Sequence, residues 1–395
     1  MIKNLLRPCP VCLNTGGEIL HTQRFIIPEE HFLPESYDVV SCEKCGFVYA
    51  DTEAKQEDYN RYYKRFSKYE DTFISSGGGL TVYDAERLNE TASNISEFLP
   101  DKESPILDVG CANGGLLAAL KSKGYNNLTG LDPSNSCVNY IIGKLGFEAI
   151  EGDLFNVKLN QSYECIILSH VLEHICDLRE GINNIISFLS VKGLLYIEVP
   201  DASRYNEFYV VPYYYFDCEH INHFDEHSLN NLILQYNFEH IISAKKGRIV
   251  SSQNIYPSVY NIFRKSEKSK SSMNIIADFN VRESVLKYIE TSRVNSHWPE
   301  IDLCARTQEK IILWGAGSYA LRLLENTSLG KCNIIFFVDN DRKKQGTKIK
   351  DIPVYSPEIL RKNKEKIIIC VALYSDDILR EIHSMNIENQ VILMK

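Results

Sequence analysis

The stretch Leu107-Asp-Val-Gly-Cys-Ala-Asn-Gly-Gly115 decides the fold class, because a short apolar run ends here in a glycine-rich turn. Pro105-Ile-Leu-Asp-Val109 predicts a buried strand, and residues 114–123 predict a helix. Gly110 and Gly114 let the backbone approach a ligand closely, and a helix N-terminus presents free N–H groups to it. The segment therefore predicts a strand–turn–helix unit that binds a nucleotide-type ligand.

Around this unit, apolar runs alternate with amphipathic segments, which is typical of βαβ units and a largely parallel, doubly wound α/β sheet. The predicted helices cover 83–99, 135–145 and 177–189, and the predicted strands cover 128–131, 148–150, 163–168 and 193–199. Strands at 239–244 and 259–263 are expected to complete the sheet. After a lysine-rich turn at 264–272, a connecting helix at 279–292 leads to a second α/β unit with strands at 310–314, 333–338 and 366–371 and a helix at 318–326.

Two more carboxylates follow later strands of the predicted sheet. Gly130-Leu-Asp132-Pro-Ser134 places Asp132 where a ribose diol would be bound. Gly152-Asp153-Leu154 ends the next unit and could face an adenine. Ligands of doubly wound sheets gather at the carboxyl ends of the strands, so the turn and the two carboxylates predict one site.

The N-terminal region contains two CxxC pairs, Cys9-Pro-Val-Cys12 and Cys42-Glu-Lys-Cys45, with 29 residues between them. Four thiolates complete a tetrahedral zinc shell and leave no position for water or substrate, so we expect a structural zinc ion. A redox role for the cysteines is the alternative. This region is predicted to be loop-rich, because it shows little hydrophobic periodicity, and it would need such a metal to fold. A tyrosine-rich segment at 59–69 follows, and Ser75-Ser-Gly-Gly-Gly79 marks a boundary or hinge.

The set Asp108-x-Gly110, Asp132-Pro-Ser134, Gly152-Asp153 and Ser169-His-Val-Leu-Glu-His174 resembles class I S-adenosylmethionine-dependent methyltransferases, over residues 80–265. The resemblance implies that Asp108, Gly110 and Gly114 flank the methionine and sulfonium portion and that Asp132 binds the ribose hydroxyls. It also implies that Asp153 and Leu154 contact the adenine and that Ser169 lies in the cofactor site. A doubly wound domain that binds another nucleotide is the alternative.

His170-Val-Leu-Glu-His174 also matches HxxEH, a zinc-peptidase pattern, which needs both histidines on one helical face. Here the motif follows the predicted strand 163–168 and falls at a strand-to-helix corner. We therefore interpret His170 and His174 as corner residues that line the pocket and contact the substrate.

A histidine beside a carboxylate, Glu219-His220, lies beyond the strand that ends at Val199 and can act as a general base. His223 and His227, which follow it, are expected to pack or cap. The order of double-CxxC lobe, tyrosine-rich segment, methyltransferase domain, Glu-His motif and terminal α/β domain is similar to that of bacterial sugar C-methyltransferases, which act on nucleotide-linked keto-deoxysugars.

In that family a Tyr-His-Glu-His run carries the base, and its final histidine removes a proton from the carbon next to a ketone. The matching run here, Asp217-Cys-Glu-His220, keeps the glutamate and the final histidine and lacks the tyrosine and first histidine. The resemblance assigns His220, Glu219 and Tyr63 to catalysis and Tyr62 to substrate binding, while which tyrosine matches the family's lid tyrosine stays open. Because the run departs from the family pattern, methylation of an oxygen or nitrogen atom in another small metabolite remains a second hypothesis.

The terminal unit contains Trp314-Gly-Ala-Gly317-Ser-Tyr-Ala320, and Asp339 ends its next strand. This pattern is a partial dinucleotide fingerprint, because Ala320 replaces its last glycine. An NAD-like cofactor is one interpretation. The family resemblance favours instead a domain that shapes the sugar-nucleotide cleft, in which Gly315 and Gly317 approach a diphosphate.

The composition favours a small-molecule substrate over nucleic acid or membrane, because the formal net charge is −9 and no apolar run approaches the length of a membrane span. Cysteines 111–370 lie singly in apolar segments, as expected of a reduced, cytoplasmic protein. A zinc-ribbon RNA methyltransferase and a cofactor-sensing module without turnover are further alternatives. The expected domains are a zinc lobe with a tyrosine-rich lid (1–75), a methyltransferase domain (76–268), and a linker helix with a C-terminal Rossmann-like domain (269–395).

Overall fold

The computed structural model describes residues 2–27, 32–66, 78–79, 81–251, 254–267 and 274–395. Part of the tyrosine-rich segment (67–69), part of the predicted hinge (75–77) and part of the lysine-rich turn (268–272) lie outside the described residues. Within the described ranges the strands form three sheets. None of the described helices is long and apolar enough to cross a membrane.

The N-terminal region is built on an antiparallel sheet, so the prediction of a loop-rich lobe was wrong. Its strands are β1 (Ile2–Asn4), β2 (Gly16–Arg24), β3 (Ser36–Cys42) and β4 (Val48–Asp51), and helix α1 (Gln56–Phe66) follows. Every residue of β4 and the last four residues of β3 are buried, and a register shift interrupts β2 between Ile19 and His21. A sheet covered on both faces shows no alternation of apolar and polar residues, which explains the missing periodicity.

The central region contains the predicted doubly wound α/β unit. Its elements are α2 (Val82–Ser96), β5 (Ile106–Val109), α3 (Gly115–Ser122), β6 (Leu128–Asp132), α4 (Asn135–Tyr140) with a π-helical turn at Ile141–Leu145, β7 (Glu148–Glu151), β8 (Tyr163–Ser169), α5 (Leu178–Phe188), β9 (Leu189–Pro200), β10 (Asn222–His223), α6 (Glu226–Ile233), β11 (Phe238–Ile249) and β12 (Ile255–Lys265). The sheet order is β11-β12-β9-β8-β5-β6-β7. Strands β7, β6, β5, β8 and β9 are parallel, and β12 and β11 join as an antiparallel hairpin.

The core of this unit covers both faces of the sheet. Leu107 packs with Ile182 and Ile185 of α5 on one face. Its neighbour Ile106 packs with Leu120 of α3 in the cluster on the opposite face. A strand buried on both faces needs a continuous apolar run, which is why residues 105–109 could be recognised in the sequence.

Residues 200–224 leave the central sheet and connect it to the N-terminal lobe. Strand β10 pairs with β4, with Asn222 opposite Tyr49 and His223 opposite Val48. His223 has no exposed surface and bonds to Tyr205, so it packs as expected. The Glu219-His220 motif therefore lies between the central unit and the lobe.

The C-terminal region contains a third sheet with the order β15-β16-β14-β13-β17-β18. Its elements, after helices α7 (Asn280–Val294) and α8 (Pro299–Thr307), are β13 (Lys310–Trp314), α9 (Ser318–Asn326), β14 (Asn333–Val338), β15 (Lys348–Ile349), β16 (Ile352–Tyr355), β17 (Lys366–Ile369), α10 (Ser375–Ser384) and β18 (Val391–Leu393). The predicted strands and α9 are confirmed, whereas the sequence reading lacked α8, β15, β16, α10 and β18. The domain boundaries at 75/76 and 268/269 stay predictions.

Candidate active site

The glycine-rich turn between β5 and α3 has an unusual backbone that brings it close to neighbouring elements. Gly110, Ala112 and Gly114 have φ angles of 69°, 46° and 75°. A Cβ at Gly110 would lie 2.9 Å from Val171 Cγ2. Because glycine alone adopts left-handed φ without strain, positions 110 and 114 have the freedom that a ligand cradle requires.

Asp132 at the end of β6 ties this turn to the next strand. Its Oδ2 accepts a hydrogen bond from the Ala112 N–H at 2.9 Å, and its Oδ1 accepts one from the Ser134 N–H at 2.9 Å. Burial, which backbone hydrogen bonds partly offset, raises the pKa of Asp132. Burial, followed by the charge of Asp132, raises the pKa of Asp108 to about 8. The two carboxyls predicted for the cofactor site therefore lie at one edge of the sheet, with Asp108 largely protonated at neutral pH.

The other predicted cofactor residues lie at the ends of neighbouring strands. Asp153 Oδ1 accepts from the N–H groups of Phe155 and Asn156, and its Oδ2 accepts from Asn60 of α1 at 3.3 Å. Leu154 is buried in the core of the central unit. Ser169 ends β8, beside β5, and its buried Oγ has no hydrogen-bond partner among the described residues. The open turn, the carboxylates and this orphaned hydroxyl fit a polar nucleoside-type ligand.

A pair of histidines lies beyond β8 and β9, on different loops. His174 Nδ1 is 3.0 Å from the Glu219 carbonyl oxygen. A carbonyl only accepts, so Nδ1 carries the proton and Nε2 is the His174 nitrogen that can take another. The His220 ring stands nearly perpendicular to that of His174, with centroids 4.8 Å apart. The HxxEH corner and the Glu-His motif therefore meet at one place.

Helix α1 supplies the predicted tyrosines to this place. The Tyr62 hydroxyl donates to Glu219 Oε1 at 3.2 Å, and the Tyr63 ring lies edge-on to His174 with centroids 5.6 Å apart. Burial, followed by the charge of Glu219, raises the pKa of Tyr62, so its hydroxyl remains a donor. Tyr62, Tyr63, His174, Glu219 and His220 are thus brought together by three separate segments of the chain.

Behind the histidines lies a buried polar chain that the sequence reading missed. His170 Nδ1 is 3.0 Å from Glu173 Oε1, and His170 Nε2 bonds to Arg248 Nη1. Arg248 also forms an ion pair with Glu198, which has no exposed surface. Burial alone would raise the pKa of Glu198, but Arg248 and Lys246 hold it at about 2. Glu198 is a charged residue within the apolar strand 193–199, and this feature of the sequence could have indicated a special role for it.

The predicted C-terminal glycines lie next to the Glu-His motif and outside the histidine cluster itself. Gly315 has a φ of 110°, and the adjacent Ala316 N–H donates to Asp339 Oδ2 at 2.8 Å. At the start of α9, the Ser318 hydroxyl donates to Asp217 Oδ2 at 3.0 Å. Arg322 Nη1 lies 3.4 Å from the same oxygen. Asp217 begins the Asp217–His220 run, so α9 contacts the loop that carries His220.

The four N-terminal cysteines converge although they belong to distant turns. Cys9 Sγ lies 3.6 Å from Cys45 Sγ, and Cys12 Sγ lies 3.5 Å from Cys42 Sγ. All four sulfurs are within 4.8 Å of one another, and none forms a disulfide. A tetrahedron with Zn–S bonds of about 2.3 Å separates its sulfurs by about 3.8 Å, so the arrangement fits a zinc ion.

Comparison with known proteins identifies the central unit. Residues 83–243 match the family model described as Methyltransferase domain, and residues 307–393 match the one described as C2185-like, N-terminal. A probable (S)-tetrahydroprotoberberine N-methyltransferase 2 from Papaver bracteatum is 28% identical over 111 residues, which are 26% of this chain and 31% of that protein. A ubiquinone biosynthesis O-methyltransferase from Rickettsia prowazekii (strain Madrid E) is 23% identical over 127 residues, which are 31% of this chain and 48% of that protein.

The chain thus spans about a third and about a half of the length of these two relatives. Among solved structures, a SAM-dependent methyltransferase from Methanosarcina mazei aligns with a TM-score of 0.38 and 19% identity, over 44% of this chain and 98% of that one. The family match covers α2 to β11, the elements that carry Asp108, Asp132 and the histidine pair. Residues 83–243 are therefore similar to a methyltransferase domain, and Asp108, Asp132, His174 and His220 all lie within the matched residues.

Proposed function

We propose that the whole chain is an S-adenosylmethionine-dependent methyltransferase that methylates a carbon of a keto-deoxysugar carried on a nucleoside diphosphate. The observation that carries this proposal is the cluster of His174, His220, Glu219 and Tyr62 beside the cofactor turn. A base can assist methyl transfer to oxygen or nitrogen by taking the proton of the nucleophile. Transfer to carbon needs a base that creates the nucleophile, and a histidine pair at this place supplies one.

Residues of the central unit are proposed to hold the donor. Gly110 and Gly114 are proposed to leave room at the turn, Asp132 to contact the ribose hydroxyls, and Asp153 and Leu154 to contact the adenine. Ser169 Oγ, buried and unbonded among the described residues, is available to a further polar group. When bound, S-adenosylmethionine would supply an electrophilic methyl group, to which the substrate carbon forms the new bond while the methyl–sulfur bond breaks and its electron pair stays on the sulfur.

His220 is proposed to prepare that carbon. Its ring takes a proton from the carbon next to the ketone, the C–H electron pair forms the new carbon–carbon double bond, and the carbonyl π pair moves to oxygen. Tyr63 is proposed to stabilise the developing negative oxygen through its hydroxyl. Glu219 orients this group, because its side chain accepts from Tyr62 and its carbonyl binds His174.

The four N-terminal cysteines are proposed to bind a structural zinc ion. Four thiolates fill the tetrahedral shell, so the ion holds the lobe together and takes no part in the reaction. The lobe presents α1, whose tyrosines reach the histidine pair, so folding of the lobe and assembly of the active site are coupled through the metal.

The C-terminal unit is proposed to shape the nucleotide end of the substrate cleft. Its α9 begins at Ser318, directly after Gly315-Ala-Gly317, and contacts Asp217 in the loop of His220. The glycine turn is the part that could approach a diphosphate, and Lys344 Nζ lies 3.8 Å from where a Cβ at Gly317 would be. Lys344 Nζ also pairs with Asp339 Oδ2 at 3.3 Å, so its charge is already partly neutralised.

Methylation of oxygen or nitrogen of another small metabolite is the second candidate. The two relatives that match are named as an N-methyltransferase and an O-methyltransferase. The loop run Asp217-Cys-Glu-His220 also departs from the Tyr-His-Glu-His pattern of sugar C-methyltransferases. In this reading His220 removes a proton from oxygen or nitrogen instead of carbon.

The experiment that separates the two candidates uses purified protein, methyl-labelled S-adenosylmethionine and a panel of nucleoside-diphosphate keto-deoxysugars deuterated next to the ketone. Carbon methylation by this route must replace a deuterium at the methylated carbon, and the mass of the product reports it. A labelled product that retains all its deuterium contradicts the carbon reaction and supports the second candidate. The absence of methyl transfer to any member of the panel contradicts the proposed substrate class.

A further inference from the structure

Glu173 is a buried acid that the proposed mechanism has not used, and it faces the histidine pair. Its side chain is 1% exposed, and its Oε1 lies 3.9 Å from His174 Nε2. One Glu173 oxygen and one ring nitrogen from each of His174 and His220 all lie within 4.8 Å of one another. The nitrogen of His174 that can take a proton is therefore the one closest to Glu173.

The chain behind Glu173 fixes its orientation. A guanidinium has only donors, so the bond from Arg248 makes His170 Nε2 an acceptor and places the His170 proton on Nδ1. That Nδ1–H then donates to Glu173 Oε1 at 3.0 Å. Burial, followed by the charge of Arg248, holds the pKa of His170 well below its ordinary value. His170 therefore stays neutral and acts as a fixed donor rather than as a competing base.

Arg248 is in turn held by Glu198, which sits on β9 and has no exposed surface. Glu198 also accepts from Tyr196 and from Ser258. The arginine charge is therefore balanced by an acid of its own. Glu173 is the carboxyl that lies beside the histidine pair, 3.9 Å from His174 Nε2.

We infer that Glu173 is a positioning residue for methyl transfer: its buried carboxylate stabilises the positive charge that the His174–His220 pair acquires when it takes the substrate proton, and His170 and Arg248 hold it in place. The inference rests on the proposed role of His220 as the base. Opposite charges within about 4–6 Å favour the charged form of an ionisable group by one to three pKa units. Without Glu173, the pair would be a weaker base.

Other charged groups also face this pair and contribute a constant background. Arg248 on β11 and Arg87 on α2 are two of these groups, and both lower the pKa of the neighbouring His170. Glu219, Asp217 and Cys218 of the His220 loop lie near Tyr62 of α1, and the Tyr63 ring contacts His174. Glu173 is buried, and its Oε1 lies 3.9 Å from His174 Nε2.

The test measures histidine pKa values and kinetics in the same variants. Protein labelled at histidine Cε1 is titrated by NMR, and the signals of the pair are assigned with His174→Asn and His220→Asn. Glu173→Gln keeps the size of the side chain and an acceptor for His170 but removes the charge. The control, Glu180→Gln, makes the same change at an exposed residue of α5.

In Glu173→Gln, the pKa of the pair should fall by about one unit, and kcat at pH 7 should fall about 10-fold. A base must be unprotonated to act, so the acid limb of the kcat profile should move to lower pH by the same amount. Glu180→Gln should change neither. Glu173→Asp keeps the charge on a shorter side chain and should retain most of the histidine pKa and most of kcat. This variant provides the test if Glu173→Gln does not fold.

Unchanged histidine pKa values in Glu173→Gln, or a lower kcat with an unmoved acid limb, would overturn the inference, because a merely structural role lowers kcat alone. Failure of the proposed function is a different result. In that case His220→Asn would transfer methyl groups at the wild-type rate, whatever Glu173 does to the pKa of the pair.

Discussion

At the scale of single residues, His220 is the group on which carbon methylation depends most. An asparagine at position 220 keeps polarity and approximate size but cannot accept a proton at neutral pH. We expect His220→Asn to lower kcat by 100-fold or more while the affinity for S-adenosylhomocysteine stays within about twofold. Single-turnover kinetics and calorimetry measure these two quantities. The control is His227→Asn, an exposed histidine that pairs with Asp278, and its kcat should equal that of the wild type. Equal kcat values for the two variants would remove His220 from the mechanism.

A second prediction at this scale concerns Asp108 and the way in which the stability of the folded protein depends on pH. Burial raises its pKa in the folded protein to about 8, against 3.8 for an ordinary aspartate. The folded state therefore keeps a proton that the unfolded state has already lost, so ionisation of Asp108 lowers stability as the pH rises from about 4 to 8. Asparagine resembles the protonated form and does not ionise.

The melting temperature of Asp108→Asn, relative to the wild type, should therefore increase steadily between pH 5 and pH 8. Scanning calorimetry without ligands checks this, with Asp101→Asn as the exposed control. A difference that does not vary with pH would contradict the burial of an ionisable carboxyl at this position.

Much of the site could be predicted residue by residue, because short motifs place one group each. Asp108 and Asp132 lie within the last two residues of β5 and β6, which the apolar runs reveal, and the Glu219-His220 pair lies beyond β9. Glu173 could not be assigned a role, since its importance comes from His170 and Arg248, which lie 75 or more residues apart from each other along the chain. Packing alone brings them together.

At the scale of elements, the two CxxC turns stabilise the N-terminal sheet only if a metal joins them. We expect the purified protein to contain about one zinc ion per chain, and Cys12→Ser to lose most of it and to melt several degrees lower. Metal analysis and thermal denaturation measure these effects. The control is Cys332→Ser, a partly buried cysteine of the C-terminal unit. A wild-type protein without bound metal, or a Cys12→Ser variant with full stability, would contradict the proposed zinc site.

A further prediction at this scale concerns helix α9. This helix belongs to the C-terminal unit and holds the loop that carries His220. Arg322 is buried and lies 3.4 Å from Asp217 Oδ2. Replacing it with methionine keeps the length of the side chain and removes the charge. We expect Arg322→Met to lower kcat about 10-fold without changing the affinity for S-adenosylhomocysteine, since the loop loses its anchor and the cofactor turn does not. Glu325→Gln, at an exposed position of α9, is the control. Wild-type kcat in Arg322→Met would show that this contact does not position the loop.

A helix or strand could be predicted where a single hydrophobic pattern dominates its sequence. It was missed where no single pattern does. Strands β5, β8 and β13 are continuous apolar runs, and the sequence identifies them. The N-terminal strands were read as loops, because β4 is buried throughout and β2 changes register at Ile19 and His21. Strand β10 is two residues long and exists only because the lobe offers β4 as a partner.

At the scale of the whole molecule, the histidine pair depends on all three sheets. The central sheet carries Ser169 and the HxxEH corner, the N-terminal lobe supplies Tyr62 and Tyr63, and the C-terminal unit contacts Asp217. Such a site, enclosed by separate units, suits a substrate with two ends, such as a sugar joined to a nucleotide. The order of motifs along the chain pointed to these units, but only the fold shows that they meet.

The turn at Gly110 and the carboxylate of Asp132 are proposed to bind a sulfonium donor and its demethylated product. Isothermal titration of the purified chain with S-adenosylhomocysteine tests it most directly, with Asp132→Asn measured alongside. We predict one binding site per chain with a Kd in the micromolar range and an affinity at least 10-fold weaker in the variant. A wild-type protein that takes up neither S-adenosylhomocysteine nor S-adenosylmethionine would contradict the account.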